Sequence, residues 1–135
     1  MRAASASYCG VIALTLALAG CASLQPPSCP TGQERLRTAE MFFSQKPGVS
    51  DAEFRRFVDD ELTPRFPDGL TILNGGGQWR GSENQLIREA SKVVVIVLPA
   101  RGDPSARIEA ARGAYKTRFQ QETVLLVTQA SCVSF

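Results

Sequence analysis

The chain of 135 residues contains no histidine. That absence removes Ser-His and Cys-His nucleophile pairs, the His-Glu-x-x-His zinc helix and haem ligation through imidazole. Cysteine is scarce: the four present are too few and too widely spaced for a structural zinc or iron–sulfur site. A surplus of one charge sign is also missing. With 15 Lys and Arg against 13 Asp and Glu, the formal charge is +2, which gives no electrostatic case for binding nucleic acid. Beyond residue 20 no apolar run is long enough to span a bilayer. The residues that remain imply no metal and no cofactor.

What is present is organised around residues 91–99, Ser-Lys-Val-Val-Val-Ile-Val-Leu-Pro. The apolar run from Val93 to Leu98 is mostly β-branched, too short for a membrane span, and suited to a strand covered on both faces. Residues 37–44 read as an earlier strand, with Ala39, Met41 and Phe43 on one face and Thr38, Glu40 and Phe42 on the other. Pro47 and Gly48 break it. Ser50 starts a helix, and Glu53 three positions on completes a capping box. Phe54, Phe57, Val58 and Leu62 then form one apolar stripe. Turn chemistry at Thr63-Pro64 and Pro67-Asp68-Gly69 closes that unit.

Residues 70–98 read as a long hairpin, whose three glycines at 75–77 signal a bulge, a bend or an edge. Asp103 as N-cap and Pro104 at the first helical position start a second helix, with Ile108, Ala111, Tyr115 and Phe119 on one face. Residues 123–128 form the last strand. A shift of 53 residues lays the cap Ser50 on the cap Asp103, Phe43 on Ile96, and Arg65-Phe66 on Arg118-Phe119. The β-α-β-β-α-β order in two like halves resembles the ferredoxin-like split βαβ fold. The class is α+β, an antiparallel sheet ordered 4-1-3-2 with both helices on one face.

The amino terminus carries an address. Arg2 is the only charge before an apolar run at residues 11–19, the pattern of a signal peptide. Leu18-Ala19-Gly20-Cys21 resembles the lipobox of bacterial lipoproteins, which implies cleavage before Cys21 and acylation of that residue. Ala22 rather than Asp after the cysteine implies, by analogy with enteric sorting, the periplasmic face of the outer membrane. The expected organisation is a signal peptide at 1–20, a lipidated tether at 21–34 and one domain at 35–135, carrying +1 once Arg2 is gone. Cys9 leaves with the signal and Cys21 takes lipid, so Cys29 and Cys132 remain to form a disulfide in an oxidising compartment. The strand order supports that pairing, because the last strand runs antiparallel beside the first.

Other motifs read as structure. Gly75-Gly76-Gly77 lacks the Gly-Lys-Ser/Thr of a phosphate loop, so a bulge is the expectation. Asp59-Asp60-Glu61 point in successive directions around a helix and suit a solvated face. Arg101-Gly102-Asp103 is a loop feeding a cap, and Glu40 near Lys92 or Arg80 suits a structural ion pair across strands. Arg65, Trp79, Arg80 and Tyr115 combine cationic forks with amphipathic aromatics, which suits an anionic or planar ligand. The other reading places both aromatics in the core and the arginines at helix ends. Two helices cover only one sheet face, so a homodimer through the open face is expected, unless the Gly-rich hairpin and the C-terminal tail cover it.

The segments Thr63-Pro-Arg-Phe-Pro-Asp-Gly-Leu-Thr71, Gly77-Gln-Trp-Arg80, Ser91-Lys-Val93, Tyr115-Lys-Thr-Arg-Phe119 and Cys132-Val-Ser-Phe135 are similar to a family of small exported bacterial proteins known only as a domain of unknown function. That resemblance implies a secreted or lipid-anchored α+β domain and assigns no catalytic residue. The favoured reading is a non-catalytic periplasmic lipoprotein that binds an envelope protein or assembles there. The alternative is a small-molecule binder, or a cofactor-free enzyme using a cavity in a ferredoxin-like dimer.

Overall fold

The computed structural model describes residues 28–46 and 48–135. The lipidation site expected at Cys21, the signal segment and Pro47 lie outside the described residues. The elements run β1 (Glu34–Gln45), α1 (Asp51–Phe57), β2 (Thr71–Arg80), β3 (Leu86–Leu98), α2 (Pro104–Phe119) and β4 (Leu125–Val133). The four strands form one sheet in the order β2-β3-β1-β4, with every neighbouring pair antiparallel. This is the expected 4-1-3-2 order read from the other edge. The fold is ferredoxin-like α+β.

Local chemistry explains the elements. Ser50 caps α1: its hydroxyl accepts from the Glu53 N–H at 3.2 Å, and its own N–H donates to the Glu53 carboxylate at 2.8 Å. The helix widens into a π turn at Val58–Leu62, closed by the Thr63 N–H donating to the Val58 carbonyl at 2.8 Å. Val58 and Leu62, at the two ends of the turn, are both buried. Asp103 caps α2 by accepting from the Ala106 N–H at 2.9 Å, so Arg101-Gly102-Asp103 is a cap and not a displayed tripeptide.

The core lies between the helices and one sheet face. Ala39, Met41, Phe43, Val94, Ile96 and Leu98 meet Phe54, Phe57, Leu62, Ile108, Ala111 and Tyr115. Phe43 stands edge-on to Tyr115, with ring centres 4.7 Å apart, and Phe57 contacts the same ring at 5.0 Å. Such geometry sets ring edges against π faces. Lys92 is the one cation buried in this layer. It donates to Asn74 Oδ1 at 2.6 Å and pairs with Asp51 at 2.7 Å, which offsets the cost of removing its charge from water.

Two sequence expectations need correction. The triple glycine makes no bulge: Gly75, Gly76 and Gly77 pair in unbroken register with Ser91, Ala90 and Glu89. Of the stated alternatives the edge is the one found: β2 is an outer strand, as the expected order placed it, and a Cβ on Gly75 would stand 2.9 Å from the Ser91 hydroxyl. Glu40 forms no ion pair with Lys92 or Arg80. Strand alternation puts Glu40 on the face away from the helices, whereas Lys92 and Arg80 share the parity of the helix-covered residues.

Candidate functional site

The pairing registers sort every strand residue onto one of two faces. The face away from the helices carries Leu36, Thr38, Glu40, Phe42 and Ser44 from β1, and Ile87, Glu89, Ser91, Val93, Val95 and Val97 from β3. From β2 come Thr71, Leu73 and Trp79; from β4 come Leu125, Val127, Gln129, Ser131 and Val133. Neither the Gly-rich hairpin nor the tail folds back over it: Leu73 is 51% exposed, Trp79 42%, Leu125 58% and Val127 42%. Phe135, the final residue, is 99% exposed. The result is a broad apolar surface of the kind that marks an interaction site.

Its charge is one-sided. Glu34, Glu40 and Glu89 have the parity of this face, while all five basic strand residues, Arg35, Arg37, Arg80, Arg88 and Lys92, have the parity of the helix-covered side. Among the described residues Glu40 takes part in no ion pair. Glu89 accepts a short hydrogen bond from the Ser44 hydroxyl. It stands opposite Gly77, beside Gly75, where the missing side chains leave the carboxylate open on one flank.

Beyond β1 the β2–β3 hairpin continues as a two-stranded arm. The last β1–β3 pair is Gln45 with Ala90, and the β2–β3 pairs run on to Arg80 with Leu86. Trp79 and Ile87 pair on the open side of this arm, extending the apolar surface past the four-stranded sheet. On the opposite side of the arm Arg88 donates to Gln78 at 2.8 Å.

The four residues grouped as a ligand site in the sequence do not converge. Tyr115 is fully buried in the aromatic core, its hydroxyl donating to the Ser44 carbonyl at 2.8 Å. Burial, helped by the nearby Glu89 carboxylate, pushes its pKa up to about 12. Trp79 and Arg80, as successive residues of β2, project from opposite faces. Arg80 donates to Asn84 at 2.8 Å and braces the hairpin turn. Arg65 donates to the Glu61 carbonyl and carboxylate, each at 2.6 Å, and closes the π turn. Of the set only Trp79 faces the open surface.

Residues 29 and 132 meet as the strand order requires. A disulfide joins Cys29 to Cys132, with Cα atoms 5.5 Å apart, beside the Arg35–Cys132 pair of β1 and β4. Among the described residues no group of three or more His, Cys, Asp or Glu side chains could hold a metal ion. No described helix is long and apolar enough to cross a membrane. A polar cleft of about 480 Å³ lies at the far end of the helices, lined by Lys46, Glu53, Arg56 and Arg118 among others. Two of its charges are engaged elsewhere, Glu53 in the α1 cap and Arg118 with Asp60 at 3.0 Å.

The domain is thus a ferredoxin-like sheet with one face packed and one face open. The family described as "Protein of unknown function (DUF3574)" matches residues 38–135, and the chain belongs to it. No curated protein matches the chain. Among solved structures it is similar to a phage SAM lyase in complex with S-methyl-5'-thioadenosine: TM-score 0.56, 14% identity, covering 82% of this chain and 96% of that one. The apo form of a phage SAM lyase aligns with TM-score 0.55 and 18% identity over 75% and 90% of the two chains. CutA from Synechococcus elongatus PCC7942 aligns with TM-score 0.50 and 9% identity over 73% and 78%. At such identities the likeness is one of fold.

Proposed function

We infer that this protein is a lipid-anchored envelope lipoprotein whose domain is a non-catalytic binding module, with the open sheet face as its working surface. Acylation of Cys21 supplies the anchor, and two or more acyl chains make it durable. The tether before Cys29 is short, so the domain is held within roughly 30 Å of the bilayer, at ~3.5 Å per extended residue. The address is the periplasmic side of the outer membrane, and Cys21→Ser tests it by releasing the protein into the soluble fraction.

One observation carries the binding reading: the exposed face pairs apolar side chains with carboxylates and with no basic residue of the sheet. A partner that fits brings apolar groups together with Lys or Arg. A second copy packed face to face would set Glu40 against a surface that has no cation to offer, leaving buried carboxylates unpaired. A basic, amphipathic partner segment is therefore favoured over that homodimer, and over a small ligand enclosed between two copies.

The test is a titration of the full chain with a Leu/Lys amphipathic peptide and with its Leu/Glu counterpart. The expected result is saturable, salt-sensitive binding of the first and none of the second. Glu40→Lys should weaken binding at least tenfold, about 1.4 kcal/mol. Equal binding of both peptides, or none of either, would remove the reading.

A further inference from the structure

From Leu125 to Ser131 the outer edge of β4 carries none of the usual guards; only at its far end is the strand tied, through the Cys29–Cys132 disulfide. From residue 123 to residue 135 the chain has no charged residue, no proline and no glycine. Those are the features by which edge strands avoid pairing with other chains. All nine residues of β4 pair with β1 in continuous register, from Glu34–Val133 to Phe42–Leu125, so no bulge twists the strand away. Leu125 and the run from Val127 through Ala130 are exposed. The other edge is different: β2 carries Gly75-Gly76-Gly77 in its middle and Arg80 at its end, both unfavourable to added pairing.

We propose that β4 pairs antiparallel with β4 of a second copy about a two-fold axis near Gln129, joining two four-stranded sheets into one. An antiparallel two-fold pair sets each residue against its mirror position, so a charge in the strand would face a like charge or a fixed mismatch. This strand has none. Centred on Gln129, the pairing opposes two amides that can each donate and accept, sets Leu125 against Val133, and sets Val127 against Ser131. Residues of the open face then stay on one side of the joined sheet. The chain's own tether is a poor competitor, because Pro26 and Pro27 lack the N–H groups an added strand needs. The inference rests on the edge alone and stands whether or not the open face takes a basic partner.

The experiment uses the full chain in its membrane. Gln129→Cys, mildly oxidised, should run as a covalent dimer on a non-reducing gel, while Thr71→Cys on the β2 edge should remain monomeric. In parallel, detergent-extracted wild type should sediment as two protomers, and the double variant Thr128→Lys/Ala130→Lys, whose side chains lie on the face away from the peptide surface and oppose each other across the two-fold axis, as one. Peptide binding at the open face is read on the same samples and keeps the two ideas separable. Wild type sedimenting as a single protomer overturns the proposal. So does a dimer unchanged by the two lysines, which would assign the contact to another surface, and so does cross-linking through residue 71 equal to that through residue 129.

Discussion

Phe42 and Phe43 are neighbours in β1 and have opposite fates. Phe43 is fully buried between Tyr115, Phe54 and Phe57, while Phe42 keeps part of its ring in solvent beside Val93 and Leu125. Elsewhere in the sheet Val94 and Ile96 on the covered face are 0% and 2% exposed, and Leu125 at the edge of the other face is 58% exposed. Both faces carry apolar side chains, and they do different work. The covered face drives folding, whereas the apolar character of the open face contributes little to folding and calls for an explanation in binding.

That contrast can be attacked where it is strongest. Reducing the Cys29–Cys132 bond, or replacing Cys132 by Ser, opens a loop spanning 103 residues and should cost ~4–5 kcal/mol in the chain-entropy account. Chemical denaturation with and without reductant measures it. Phe43→Ala should cost about 3–5 kcal/mol, and Phe42→Ala only about 1 kcal/mol. Equal losses at the two positions would mean that the faces are not energetically distinct.

Smaller effects sharpen the picture. Tyr115→Phe leaves the Ser44 carbonyl without its donor and should cost about 1–2 kcal/mol at neutral pH. Because the folded phenol titrates at about 12 against an ordinary 10, the fold binds the proton more tightly than the unfolded chain. Stability should therefore be full below pH 10 and fall as pH rises towards 12, a loss that Tyr115→Phe abolishes. Hydrogen bonds from Lys92 and then Gln45 hold the Asp51 carboxylate below its usual 3.8. Its contribution is present above that pH and lost as pH falls below it, so Asp51→Asn should differ from wild type at neutral pH and converge with it in acid. The smallest effect belongs to the open face. Val127→Lys should change stability by no more than about 0.5 kcal/mol, while weakening binding of the Leu/Lys peptide.

Much of this arrangement could be read from residue order. Alternation in β1 and the run from Val93 to Leu98 marked the inner strands, and the Ser50 and Asp103 caps marked both helices. The positions of Cys29 and Cys132 agreed with the order of the outer ones. Three things were less accessible. The π turn at Val58–Leu62 leaves both apolar ends on the buried side, where α-helical spacing would also put them, so the residue pattern does not reveal it. The glycine run left bulge, bend and edge open from local sequence, and the expected 4-1-3-2 order, which puts this strand outermost, was what pointed to the edge that is found. The grouping of Arg65, Trp79, Arg80 and Tyr115 failed for a simpler reason: residue chemistry was read without strand parity. Parity sends Trp79 and Arg80 to opposite faces, and it also separates Glu40 from Lys92. Applied throughout, it would have found the acidic, apolar face from the sequence, since Glu40 alternates with Met41 while Lys92 alternates with Val93.

The most direct measurement follows backbone amide shifts of the isotopically labelled full chain while the Leu/Lys peptide is added. Binding at the open face predicts progressive shifts at Phe42, Val95 and Val127, with Val94, Ile96 and Ala111 nearly still. Shifts confined to the helix side, or no shifts at saturating peptide, would contradict it.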